Sequence, residues 1–342
     1  MSAASSGAEE SASGAGPVDS APCRSVIVTG ATGLVGHYLL PLLMERGFAV
    51  QAISRRSGGH GGPDPRAPGP EGIGPRVGRI RWVAMDLAEP DIGRTGPIGR
   101  ADCLVHAAPI WLLPPWLPRA ADAGVRRLVA VSSTSRFTKQ GSGSPGERET
   151  ARRLTEAEVV VERTCRERGI RWTILRPTLV YGGGRDRNVS DVARFIRRFG
   201  FFPIAGEGRG KRQPVHAADV AGAALAVVER PSTFDRAYDT PGGETLTYAE
   251  MIARIARGLG RTPRLLRVPL PLLRGALTVA SRLPHLGHAT PDVADRMNED
   301  LVFDLAPARR DFGYDPRPFR FPDGPDARQE LQATREPGRR LS

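Results

Sequence analysis

The sequence predicts a doubly wound α/β protein, in which a parallel sheet is covered by helices on both faces and a smaller C-terminal lobe follows. Three observations carry that prediction. Short, nearly continuous apolar runs recur at residues 24–29, 49–54, 80–85, 103–107, 128–132 and 172–175, with helical segments between most of them. Strands that are apolar on both sides belong in a sheet buried on both faces, and their alternation with helices makes that sheet parallel. The first run leads straight into Gly30-Ala31-Thr32-Gly33-Leu34-Val35-Gly36, after which residues 37–46 carry apolar positions at helical spacing, with Gly47 as a stop. From Gly182 onward the pattern breaks into Pro/Gly-rich loops and helices, including 220–229 and 247–259, which predicts a second lobe interleaved with the first and closing over it.

The expected organisation is a disordered leader over 1–23, a sheet domain over 24–181, the smaller lobe over 182–321 and a disordered polar tail over 322–342; the Gly/Pro-rich stretch 57–78 reads as a loop. The net charge of +12 raises the question of nucleic acid. Its distribution excludes that partner: Lys139 and Lys211 are the only lysines, and the arginines are scattered along the chain with no single basic stripe. Residues 268–283, the longest apolar passage, are interrupted by Pro269, Pro271, Arg274 and Arg282, so no integral membrane segment is expected. The start lacks the basic and apolar regions of a secretory signal. Cys23, Cys103 and Cys165 form no CxxC or Cys/His cluster, which reads as a cytoplasmic chain with Cys103 and Cys165 as buried packing residues.

The glycine turn carries explicit chemistry. Gly30 permits a tight bend, Gly33 lets backbone approach a pyrophosphate, and Gly36 lets the helix pack on the strand, while the helix start over Thr32, Leu34 and Val35 offers amide donors to phosphate. This makes the sheet domain Rossmann-type, with a nicotinamide dinucleotide as its cofactor. An NAD site has an acidic residue at the end of the second strand, whereas this chain has Ser54-Arg55-Arg56. An arginine pair grips a 2′-phosphate that a carboxylate would repel, so NADP is expected, with NAD as the alternative. Asp86 and Leu87 fall where adenine is read, and Ala107 and Ala108, after the fourth run, fall where backbone approaches the cofactor.

These residues, together with Val131-Ser132-Ser133-Thr134, Leu175-Arg176-Pro177-Thr178-Leu179-Val180-Tyr181-Gly182, Arg212-Gln213-Pro214-Val215-His216 and Gly242-Gly243-Glu244-Thr245-Leu246-Thr247, resemble the extended short-chain dehydrogenase/reductase superfamily in its NAD-dependent epimerase/dehydratase branch. The resemblance places Pro177 at the cofactor and Arg212 where relatives acting on nucleotide sugars bring an arginine to the substrate diphosphate. It also implies a Tyr-x-x-x-Lys acid/base, and that pair is missing: the corresponding positions hold Thr150 and Leu154. The shortened, Pro/Trp-rich stretch 108–132 is similar to atypical members such as the dinucleotide-binding accessory subunit of respiratory complex I. The remaining candidates for catalysis are Ser133 and Thr134 after the fifth strand, Lys139, and Tyr181 as a replacement acid. Ser144-Pro145-Gly146-Glu147 reads as a capping box, and Asp219 as the cap of the helix over 220–229. No residues have metal-ligand spacing.

Two functions stay open from sequence. One is an NADP-dependent oxidoreductase or epimerase-like enzyme acting on a nucleotide sugar or a related carbonyl/hydroxyl substrate with a non-standard proton donor. The other is a non-catalytic NADP-binding scaffold or redox sensor with no substrate. Oligomeric state is not encoded in any motif.

Overall fold

The computed structural model describes residues 23–55, 79–89, 98–186, 188–280 and 291–321. Arg56, the loop 57–78, and the expected leader and tail at 1–22 and 322–342 lie outside the described residues. The chain runs β1 (Ser25–Thr29), α1 (Leu34–Glu45), β2 (Ala49–Ser54), β3 (Ile80–Ala84), β4 (Cys103–His106), α2 (Leu117–Asp122), β5 (Arg127–Val131), α3 (Ser135–Thr138), α4 (Pro145–Glu167), β6 (Arg171–Pro177) and β7 (Val180–Tyr181). It continues through α5 (Val189–Phe199), β8 (Phe202–Ala205), β9 (Lys211–Arg212), β10 (Val215–His216), α6 (Ala217–Val228), β11 (Arg236–Thr240), β12 (Leu246–Thr247), α7 (Tyr248–Gly258), β13 (Leu265–Val268), α8 (Leu270–Ala280), α9 (Pro291–Arg296) and α10 (Ala306–Phe312).

Seven strands form one parallel sheet in the order β11-β6-β5-β4-β1-β2-β3. Leu39, Leu40 and Leu43 of α1 and Val220, Ala224 and Val227 of α6 cover one face, while Leu117 of α2 and Leu154, Ala157 and Val161 of α4 cover the other. The sheet therefore has the predicted two-sided burial. Its last helix and edge strand, α6 and β11, come from beyond residue 181, so the sheet draws on both sides of the expected boundary. A third core, with Tyr181, Ile196, Ile204, Ile252, Ile255 and Phe319, belongs to the second lobe.

Two buried polar features stitch these layers. Arg127, 4% exposed at the start of β5, donates to the carbonyls of Val227 and Val228 at the C-terminal end of α6 and to Thr173 Oγ1. It thus caps a helix end whose free carbonyls attract cations, although burial pulls its pKa down to about 9. The second feature corrects the reading of Cys103 as an unpaired packing residue: it is disulfide-bonded to Cys23, leaving Cys165 as the buried free thiol. The pairing follows from sheet order, because β1 and β4 are neighbours and their starts lie side by side. Among the described residues no helix is long and apolar enough to cross a membrane.

Candidate dinucleotide site

The strand order reverses between β1 and β4, since the chain builds β2 and β3 outward on one side and β5, β6 and β11 on the other. In open parallel sheets the crevice at the carboxyl ends of such a pair is where ligands bind. The glycine turn occupies it. Gly30 has φ +69°, and a Cβ there would stand 2.6 Å from the backbone of Ala107 and Ala108; a side chain would thus wedge β1 from β4. Gly33 N donates to Gly30 O at 2.8 Å, closing the turn, and Gly33 becomes the N-cap of α1. A Cβ on Gly36 would fall 2.3 Å from Gly30 O and 2.6 Å from Ala31 O, so only glycine lets α1 lie against its own turn. Thr32, Leu34 and Val35 surround the helix start, and the first turn of α1 holds no carboxylate to repel an anion.

Other expected contacts lie along the same carboxyl edge of the sheet. Ala107 and Ala108 abut Gly30 as described. Arg55 is exposed directly after β2, and Asp86, two residues past the end of β3, accepts from Ala88 N at 3.0 Å with Leu87 in the same turn. Pro177 ends β6, and its carbonyl receives both Thr134 N (3.1 Å) and Thr134 Oγ1 (3.2 Å). Arg185, not anticipated from sequence, reaches from the second lobe to donate to Thr32 O at 3.2 Å. Its glycine-rich surroundings, Gly182-Gly183-Gly184-Arg185, were the available signal.

Below the turn, Thr29 and His106 are register partners on β1 and β4, both fully buried. Pro109 O, 3.2 Å from His106 Nε2, can only accept, so Nε2 carries the proton and Nδ1 accepts from Thr29 Oγ1 at 2.7 Å. Burial lowers the His106 pKa to about 4 against a bonding contribution from Pro109 that raises it. The unfolded chain binds this proton below its ordinary 6.5 and the folded chain only below about 4, so folding stability falls as pH drops through that window, by about 3 kcal/mol in full. Urea unfolding between neutral and mildly acid pH is expected to show the slope in the native chain and a flatter one in His106→Asn. An unchanged slope would assign the acid sensitivity elsewhere.

The catalytic candidates separate. Ser133 is half-buried and accepts from Ser135 N at 3.1 Å, and the Thr134 hydroxyl is committed to Pro177. Lys139 Nζ lies 3.2 Å from Glu147 Oε1. Tyr181 does not front the crevice: it is 1% exposed, its ring sits between His216 and Phe319, and its hydroxyl accepts from Arg320 N. Thr150 Oγ1 donates back to Gly146 O, and Leu154 is buried in the sheet core, so neither replaces the missing pair. Arg212 is 5% exposed and donates to the carbonyls of Lys211, Glu299 and Arg296, leaning on the Tyr248 ring, so its fork is turned into the protein.

Both expected caps differ. Ser144 is the N-cap of α4 but makes no side-chain cap bond; Glu147 instead meets Lys139, Ser142 Oγ and Arg296 of α9, and Asp292 accepts from Ser142 Oγ and Ser144 N. These contacts join the start of α4 to the second lobe, and the arginine beside Glu147 helps hold its carboxyl below the usual range against the opposing effect of burial. His216, not Asp219, caps α6, and Asp219 pairs with Arg317. A site absent from the sequence reading is Glu158, wholly buried on α4, which accepts from Ser132 Oγ (2.5 Å), Arg176 Nη2 (2.7 Å) and Arg136.

The model of the NAD dependent epimerase/dehydratase family matches residues 26–111 and 117–239, spanning β1 to β11. The chain belongs to that family. Similar proteins include an NAD(P)H azoreductase of Xenophilus azovorans, 27% identical over 288 residues that cover 82% of this chain and 87% of that one. A (4-alkanoyl-5-oxo-2,5-dihydrofuran-3-yl)methyl phosphate reductase of Streptomyces griseus is 26% identical over 309 residues, covering 86% and 95%. The solved structure of MoeE5 in complex with UDP-glucose and NAD shares the fold of this family member with TM-score 0.62 at 19% identity, covering 91% of this chain and 98% of that one.

Proposed function

We propose that this family member is an NADP-dependent reductase whose acceptor is an electron-poor double bond or carbonyl, and that it is not an epimerase of nucleotide sugars. The observation that carries the reading is an intact glycine cradle combined with an α4 on which Thr150 is bonded to its own helix and Leu154 is buried in core. Removing hydride from an unactivated alcohol calls for a base on its hydroxyl proton, which Thr150 and Leu154 cannot supply. Reduction of a conjugated acceptor such as a quinone, an azo group or an enone has no such requirement, because the delocalised anion left on it takes its proton from water. A reduced nicotinamide held in the cradle would be the source of the hydride and the two-electron reductant. The chain's own contribution is to hold the cofactor on the Gly30–Gly36 turn and to offer Ser133 and Lys139 as polar groups for the acceptor. The inward-turned Arg212 speaks against a diphosphate-bearing substrate, and the azoreductase and the furanyl phosphate reductase among the similar proteins favour the same direction. Arg55 with Arg56, in place of a carboxylate directly after β2, favours NADP.

Purified protein is expected to consume NADPH with quinone, azo or enone acceptors and not to oxidise or epimerise UDP-sugars. Arg55→Ala combined with Arg56→Ala is expected to raise the KM for NADPH by about tenfold, as loss of charge-assisted phosphate contacts does, with little change for NADH. Equal losses for the two cofactors would refute the 2′-phosphate assignment. NADP that binds tightly yet is never consumed by any acceptor would assign the protein instead to the non-catalytic, cofactor-stabilised class.

A further inference from the structure

Helix α8 is apolar on two opposite sides. Leu270, Leu273 and Leu277 pack into the core of the second lobe. On the other side Leu272 (66% exposed) and Val279 (65%) stand in solvent with Gly275 and Ala276 between them, and Leu266 (52%) precedes them on β13. Leu272 and Val279 are the most exposed large hydrophobic side chains among the described residues. A helix apolar all round is ordinarily covered on both sides, and apolar side chains gathered in one exposed stretch mark an interaction surface.

The charges around this stretch identify what covers it. Arg261, Arg264, Arg267 and Arg274 are interleaved with the apolar residues and all are exposed. Arg261 donates to Arg197 O at 3.1 Å and Phe202 N donates to Arg264 O at 2.9 Å, which seats the end of α5, with exposed Arg198 and Phe199, beside β13. Among the described residues, carboxylates answer only two of these arginines: Glu207 lies 3.3 Å from Arg267 and Asp295 3.5 Å from Arg274, in pairs open to solvent and of small net effect. A second copy of the chain would set arginines against arginines, which opposes symmetric pairing. Nucleic acid would meet the cations but gains nothing from Leu272 and Val279.

We propose that the β13–α8 face docks the protein peripherally on an anionic lipid bilayer, with Leu266, Leu272 and Val279 entering the headgroup boundary and the surrounding arginines meeting lipid phosphates. Neither signal suffices alone for stable attachment, and this face combines the two. The attachment is interfacial and crosses nothing.

Sedimentation of the full chain with phosphatidylglycerol/phosphatidylcholine vesicles tests this. Binding is expected to the mixed vesicles and not to pure phosphatidylcholine, and to weaken with salt. Arg264→Glu with Arg267→Glu is expected to lower partitioning on the order of thirtyfold or more. Leu272→Asp with Val279→Asp is expected to abolish it, and Val159→Asp, an exposed apolar position on α4, to leave it intact. A fluorophore on Leu272→Cys is expected to shift to the blue on mixed vesicles only, and this readout decides the matter if the aspartate pair does not fold. The proposal is overturned by absence of lipid-dependent sedimentation, by binding indifferent to the Leu272/Val279 pair, by self-association that the same pair abolishes, or by binding to duplex DNA in place of vesicles.

Discussion

Gly36→Val is expected to weaken dinucleotide binding severely while leaving much of the second lobe folded. The new side chain begins with a Cβ 2.3 Å from Gly30 O and 2.6 Å from Ala31 O, and both obstacles are backbone. Neither can rotate away, so α1 must lift from its strand, and the helix start and the turn, proposed together to receive the phosphates, no longer align. Overpacking of this kind costs about 1–3 kcal/mol in stability, and a larger loss is expected in binding, on the order of a hundredfold, because both halves of the cradle move. Fluorescence titration with NADPH and a thermal melt separate the two effects. Gly47→Ala is the matched control: Gly47 has φ +80° but nothing within 4 Å of a Cβ, so it is expected to cost about 1 kcal/mol and leave affinity alone. Native-like NADPH affinity in Gly36→Val would remove the glycine turn from the cofactor site.

Glu158→Ala is expected to be the most destabilising single truncation in the sheet domain. Its wholly buried carboxylate accepts from Ser132, Arg136 and Arg176, and the two arginine side chains are only 16% and 15% exposed. Removing the anion leaves two largely buried guanidinium groups with only the weaker influence of Glu162 and Asp239 to balance them, a loss of about 3–5 kcal/mol. Burial already depresses the pKa of both Arg136 and Arg176, which shows how poorly that environment solvates their charge. The effect reaches the crevice, because Ser132 follows β5 and Arg176 lies in β6, two residues from Thr134 and one from Pro177 respectively. Urea denaturation is expected to show a lower midpoint with an unchanged slope, with Glu158→Gln intermediate. A change below 1 kcal/mol would mean that the cluster is solvated and not a buried network.

Much of this architecture was legible because its signals are local. Apolar runs with glycine stops place the first strands and α1, and the spacing of Gly30, Gly33 and Gly36 states a steric requirement that the backbone contacts around Gly30 and Gly36 meet. Charges were less legible. Glu158 lies near Glu156, Glu162 and Arg163 in sequence, with nothing local to mark it as buried, and only the seating of α4 against the ends of β5 and β6 buries it. Tyr181 and Arg212 carry reactive groups in suggestive motifs, yet β7 pairs with β10 and β9 with β12, and those short pairings lie next to the core that takes up both side chains. The Ser144–Glu147 pattern matches a capping box, but Arg296 and Lys139, brought near by tertiary packing, attract the glutamate more strongly than a backbone amide does. The Cys23–Cys103 pair needed the neighbour relation of β1 and β4, which no spacing along the chain expresses.

That disulfide makes a covalent ring of residues 23–103, and the ring contains the glycine turn, Arg55, Arg56 and the whole stretch between β2 and β3. A protease that cuts once anywhere inside it leaves a nicked chain of undiminished mass. Such a nick is expected to be silent on a non-reducing gel and to appear as two fragments only after thiol is added. Reduction therefore decides whether one cut of the backbone also separates β1 and its cradle from the rest of the sheet.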